Sequence, residues 1–117
     1  MRNFRNYRVW HNSIDLVDNV YTLTELLPKE EEYILKSQMR RAAISIASNI
    51  AEGCGRDGQK DFKRFVEFSL GSSYELETQL IISDRRHTLG SNGLYKQTVD
   101  HIGLVQAELN ALRNTLK

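Results

Sequence analysis

Three histidines, one cysteine, a glycine-rich turn and a run of arginines and lysines are the residues here whose types could do chemistry. A helical carboxylate metal site needs Glu-x-x-His pairs projecting from two helices, with lone glutamates from two others. The residues three positions before His11, His87 and His101 are Arg8, Asp84 and Thr98. That motif is therefore missing, and neither a metal nor a cofactor is expected. Cys54 stands between two glycines, with Glu52 rather than a cation close in sequence. A reactive thiolate needs a positive environment or a helix N-terminus, so Cys54 reads as a small turn residue, and no catalytic residue is expected. Gly53-Cys54-Gly55-Arg56 lacks the spacing of a phosphate-binding P-loop and the strand before it. It reads as a helix stop.

Charge is the stronger lead. The chain holds 16 basic and 15 acidic residues, a formal charge of +1. Between positions 36 and 64 the balance differs. Lys36, Arg40, Arg41, Arg56, Lys60, Lys63 and Arg64 face only Glu52, Asp57 and Asp61, so 7 − 3 = +4. Lys60, Lys63 and Arg64 share a helix face by their spacing. Arg2, Arg5 and Arg8 add an acid-free basic start, and Arg85 and Arg86 could extend the patch. Such a surface suits the phosphates of RNA or DNA. The candidate contacts are Arg40, Arg41, Arg56, Lys60, Lys63 and Arg64; an ordinary solvated face is the competing reading.

Four helices must position these side chains. Apolar residues recur every three or four positions over about 7–27, 31–52, 59–88 and 94–116, and no stretch alternates as a strand would. In the first helix the expected inner face is Trp10, Ile14, Val17, Tyr21, Thr24 and Leu27. Pro28 stops it, and Glu30, Glu31 and Glu32 suit the start of the second. The second helix carries Leu35, Met39, Ala42, Ile46, Ile50 and Gly53, widened by Ala43, Ile44, Ala47 and Ala51. Its apolar arc spans roughly 200° where about 100° serves one-sided packing, so a second apolar surface is expected. Gly53 to Gly55 should end it with a positive φ. The third helix has Asp57 as expected N-cap and Phe62, Phe65, Ser69, Ser72, Leu76, Leu80 and Ser83 inside. Gly71 and Ser72 should permit close approach. The fourth carries Tyr95, Thr98, Ile102, Val105, Leu109, Leu112 and Leu116. Gln38, Ser45, Asn49, Ser69, Ser72, Glu75 and Gln79 lie near the inner stripes, either as a register-fixing network or as a polar groove.

Short connections favour an all-α, antiparallel up-down four-helix bundle, one domain over residues 1–117. No apolar run approaches the roughly 20 residues of a membrane helix. The basic start has no apolar stretch behind it, and a single cysteine allows no internal disulfide. A cytoplasmic protein is expected.

The stretch Gln38-Met39-Arg40-Arg41-Ala42-Ala43-Ile44-Ser45-Ile46-Ala47-Ser48-Asn49-Ile50-Ala51-Glu52-Gly53 resembles the signature of the 23S rRNA intervening-sequence protein family. The likeness continues through Gly55-Arg56, Asp61-Phe62-Lys63-Arg64-Phe65 and Gly71-Ser72-Ser73-Tyr74-Glu75-Leu76-Glu77. It implies a small bacterial protein without catalytic residues, folded as a four-helix bundle and assembled as a ring-like homopentamer. A similar branch, the accessory variability determinants of diversity-generating retroelements, works with a reverse transcriptase. The resemblance thus leaves two readings: a nucleic-acid binder, or a scaffold for a polymerase-like protein partner. Arg40, Arg41, Asn49, Glu52, Gly53, Gly55 and Arg56 match the family motif. Gly58, where relatives often carry a hydroxyl, and Arg85-Arg86-His87, where they are often apolar, depart from it.

Overall fold

The computed structural model describes residues 2–116. A 3₁₀ turn, Phe4–Asn6, leads into α1 (Arg8–Thr24); a second, Lys29–Glu31, precedes α2 (Leu35–Cys54), followed by α3 (Gln59–His87) and α4 (Gly93–Thr115). The described residues contain no strand. Each helix packs on its neighbours in sequence, and α1 closes the ring against α4. Cross-helix hydrogen bonds show the antiparallel register. Asn12 pairs with Glu108 at 2.7 Å and Asn19 with His101 at 2.9 Å, so α4 runs down as α1 runs up. This is the up-down four-helix bundle that the periodicity called for.

Val20, Leu23, Met39, Ile46, Ile50, Phe62, Val66, Leu76, Leu80, Ile102 and Leu109 form the centre of the core. The inner faces of α2 and α4 follow the sequence pattern. That of α1 does so only at its end. Thr24 and Leu27 are buried as expected, but before them the core face is Val9, Ser13, Leu16, Val20 and Leu23, one residue, or about 100°, away from the expected stripe. Ile14 and Tyr21 are exposed, and Trp10 and Val17 are half-buried. Helix α1 carries two adjacent apolar stripes, and the partner helices take the other one. The Glu30–Glu32 acids also lie outside α2, which starts after a break at Ile34. Glu31 instead turns inward to pair with His87 at 2.7 Å, tying the 3₁₀ turn to the end of α3.

The α2–α3 pair is the tightest seam. Ser69 donates to the Ile46 carbonyl at 2.9 Å, a bond that requires the two backbones to lie close. Ser45 bonds Ser72 at 2.9 Å, and the Asn49 amide donates to the Ser45 carbonyl and hydroxyl at 2.9 and 3.0 Å. Four of the seven polar residues thus form a network that locks register; Gln38 and Glu75 are exposed, and the buried Gln79 Oε1 has no partner. Gly71 is not part of the close approach: it is exposed, with nothing near where a Cβ would stand. Gly53 is the close-approach glycine.

Both expected helix signals around residues 53–58 are corrected. Gly55 has φ −82°, so α2 ends without a left-handed glycine. Gly58, not Asp57, is the N-cap of α3, and no side chain caps it. Among the described residues the left-handed one is Thr88, φ 55°, at the end of α3. A β-branched side chain is strained there by about 1–2 kcal/mol. Thr88→Gly is expected to raise the unfolding free energy by about 1 kcal/mol. An unchanged or lower denaturation midpoint would show that no strain is stored.

Candidate nucleic-acid interface

Four of the six candidate cations gather where α2 turns into α3. Cys54 closes α2, residues 55–58 make the turn, and Gln59 opens α3. Arg56, Lys60 and Arg64 are exposed and Lys63 is half-buried. Arg56 pairs with Glu52 at 3.2 Å, and Arg64 with Asp61 at 3.5 Å. Neither Lys60 nor Lys63 forms an ion pair among the described residues. Lys60, Asp61, Lys63, Arg64 and Glu67 line a shallow groove of about 540 Å³. Three cations against two carboxylates leave it positive. The N-terminal end of α3 adds partial positive charge at the same place, undiminished by a capping side chain.

Aromatic rings interleave with these cations. The Arg56 guanidinium lies 4.7 Å from the centre of the Phe65 ring. That of Arg64 lies 5.2 Å from Phe65 and 5.5 Å from Phe68. Arg2 stacks on Phe62 at 4.4 Å and donates to the Arg56 carbonyl at 3.0 Å. Phe68, 45% exposed beside Arg64, offers a ring for base stacking. Reading charge alone missed Phe68. The signal was present as its four-residue spacing from Arg64, which puts the two on one face.

Arg40 and Arg41 stand apart, about 20 Å back along α2 at 1.5 Å per residue. Arg40 is turned onto α1. Its Nε donates to Thr24 Oγ1 at 3.0 Å, its Nη2 to the Tyr21 carbonyl at 3.4 Å, and its plane covers the Tyr21 ring at 4.3 Å. These contacts hold the last turn of α1, whose carbonyls lack helical partners. Arg41 is exposed, in a groove with Tyr33 and Lys36. Lys36 bonds Glu32 and holds its carboxyl below the ordinary range. The six cations therefore form two separate groups. Arg40→Ala is expected to cost about 1 kcal/mol of stability through its lost bonds and to leave nucleic-acid affinity within about twofold. A large affinity loss with unchanged stability would reverse that assignment.

The remaining motif residues serve the frame. Asn49 belongs to the α2–α3 network and Glu52 holds Arg56. A Cβ on Gly53 would stand 2.7 Å from that of Phe65, and Gly55 lies exposed in the turn. Ala43 and Ala47, which widen the apolar arc of α2, are buried inside their own chain, and Ala51 is half-buried. Cys54 is buried and free, and burial pushes its thiol up despite the nearby Arg2. The histidines are tied separately: His11 to the Arg5 carbonyl, His87 to Glu31, His101 to Asn19 and the Asn12 carbonyl.

The class defined by this geometry is a small antiparallel four-helix bundle with a basic, aromatic-studded end. Residues 5–111 match the 23S rRNA-intervening sequence protein family, and the chain belongs to it. The fold is similar to a solved structure of a protein of unknown function from the S23 ribosomal protein family of Bacteroides thetaiotaomicron. That likeness has a TM-score of 0.80 at 20% identity and covers 90% of this chain and 97% of the other. No curated protein matches the chain. Among the described residues no helix is long and apolar enough to cross a membrane.

Proposed function

We propose that the protein is a non-enzymatic, homo-oligomeric bundle that binds structured RNA through the basic end. The observation that carries this reading is the grouping of Arg56, Lys60, Lys63 and Arg64 around the start of α3, with two lysines free of ion pairs. The cations on Phe62, Phe65 and Phe68 support it, because stacked guanidiniums are oriented before they meet phosphate.

A second copy of the chain is the proposed occupant of the outer α1–α2 face. Ile14, Tyr21 and Ile44 are 38, 39 and 43% exposed there. Tyr21 and Ile44 share one groove, and the half-buried Trp10, Val17 and Ala51 fall on the same side by helical spacing. On this reading Ile44 and Ala51 supply the second surface expected of the wide arc of α2. A closed ring of five, as the resemblance implies, would place five basic ends on one rim and multiply weak contacts.

The test is binding of the purified protein to a structured RNA across a salt titration. Several phosphate contacts predict a linear fall in log affinity with log salt, each contributing a slope of about 0.7–0.9. Absence of binding at low salt would sink the reading. Sedimentation at several concentrations tests the assembly, and a monomer throughout would remove it. Capture of a polymerase-like protein without RNA affinity would favour the scaffold instead.

A further inference from the structure

A second cleft opens at the basic end, apart from the α3 face. It measures about 400 Å³, and its lining includes Arg2, Asn3, Phe4, Arg5, Cys54 and Gly55. Among the described residues no carboxylate lines it. The nearest acids in sequence are Glu52, which is held by Arg56, and the exposed Asp57 in the turn, and neither lines the cleft. The α3 groove, by contrast, includes Asp61 and Glu67.

Both arginines of the cleft are positioned in advance. Arg2 lies over the Phe62 ring at 4.4 Å and Arg5 over the Phe4 ring at 4.6 Å. Stacking occupies the flat face of a guanidinium and leaves its N–H edge for an oxyanion. Arg2 commits Nη1 to the Arg56 carbonyl, which ties the chain start to the α2–α3 turn. Neither guanidinium makes another hydrogen bond to the described residues. The Asn3 side chain accepts from the Arg5 N–H and holds the 3₁₀ turn that spaces the two arginines. The Cys54 thiol in the lining is buried, so it brings no negative charge to compete.

We propose that this cleft binds a phosphate monoester, with Arg2 and Arg5 donating to its oxygens. A monoester carries about 1.5–2 negative charges and three acceptor oxygens, which matches two guanidiniums. A carboxylate or an internal phosphodiester brings a single charge. The cleft is open to solvent, and its volume of about 400 Å³ leaves room for more than an inorganic ion. The ester is either a free nucleotide or the 5′ end of an RNA; both present the same group.

The experiment is a ¹H–¹⁵N NMR titration of the full chain with adenosine 5′-monophosphate, with adenosine and acetate as controls. Saturable shifts are expected at the amides of Phe4, Arg5, Cys54 and Gly55 with the monophosphate, and not with either control. Arg2→Gln with Arg5→Gln should weaken binding about tenfold or more, the loss expected for charge-assisted hydrogen bonds. Arg5→Gln alone keeps the test sound if loss of Arg2 loosens the chain start, because the Arg5 side chain donates to no acceptor among the described residues. Unmoved amides, equal shifts with adenosine, or shifts confined to residues 60–64 would overturn the site. A 5′-phosphorylated and a 5′-hydroxyl oligonucleotide then separate the sources. Tighter binding of the phosphorylated one assigns the cleft to an RNA end; equal binding, with the monophosphate still bound, assigns it to a free nucleotide. Arg2 leans on Phe62 of α3, but Lys60, Lys63 and Arg64 do not line this cleft, so loss of RNA binding through those three would leave the monophosphate shifts in place.

Discussion

Gly53→Val is expected to destabilise the bundle by about 3 kcal/mol, and Gly53→Ala by about 1–2 kcal/mol. A Cβ at position 53 would stand 2.7 Å from the Phe65 Cβ and 3.0 Å from Phe62 Cδ1. Neither neighbour is the mobile end of a flexible chain. Phe62 is 1% and Phe65 6% exposed, and both sit on the first turns of α3. Relief would have to come from moving α3 away from α2, which would strain the Ser69 to Ile46 bond further along the seam. The higher helix propensity of alanine, about 1 kcal/mol, offsets part of the cost. Gly103 in α4 provides the control, because nothing lies within reach of a Cβ there. Gly103→Ala should gain about 0.5–1 kcal/mol. Chemical denaturation of the three variants decides the matter. If Gly53→Ala stabilises as Gly103→Ala does, the two helices are not as close as described.

The charge reversal Lys60→Glu, Lys63→Glu, Arg64→Glu is expected to lower RNA affinity about a hundredfold or more at low salt. Three phosphate contacts are lost and three repulsive carboxylates take their place. The slope of log affinity against log salt should flatten by about 2–3, the share of three contacts. The fold should survive. Lys60 and Arg64 are exposed and Lys63 is half-buried, and substitutions outside the core usually change stability by no more than about 0.5 kcal/mol each. Loss of the exposed Arg64–Asp61 pair costs little, and acids near the start of α3 suit its positive end. A folded triple variant that binds RNA like the parent would remove this face from the proposal.

The bundle was legible because its signals are local. Pro28, the Leu89-Gly90-Ser91-Asn92-Gly93 turn and the spacing of Ile102, Val105 and Leu109 each mark an element without help from the others. Asn92, whose side chain accepts from the Leu94 N–H at 2.8 Å, opens α4 where the turn residues end. The α1 face was not legible. Val9, Leu16, Val20 and Leu23 compete with Trp10, Ile14, Val17 and Tyr21 on one helix, and both sets repeat at helical spacing. Which set is buried depends on where α2 and α4 stand, and periodicity carries no such information.

The basic residues divide along the same line. Their number, their local excess and the shared face of Lys60, Lys63 and Arg64 follow from helical spacing, so the sequence alone determined them. Grouping is a matter of distance in space. Arg40 lies early in α2 and Arg56 just past its end, so most of the length of α2 separates two like charges, and Tyr21 and Thr24 draw Arg40 onto α1. Arg2 is far from Phe62 in sequence and lies over its ring because the chain start folds back onto the α2–α3 turn. Local spacing settled the four helices and the presence of a basic surface. Tertiary packing decided which apolar stripe was buried, which cations met, and that two arginines at the chain start border a cleft without acids, because each of those outcomes is a contact between segments that periodicity treats as independent.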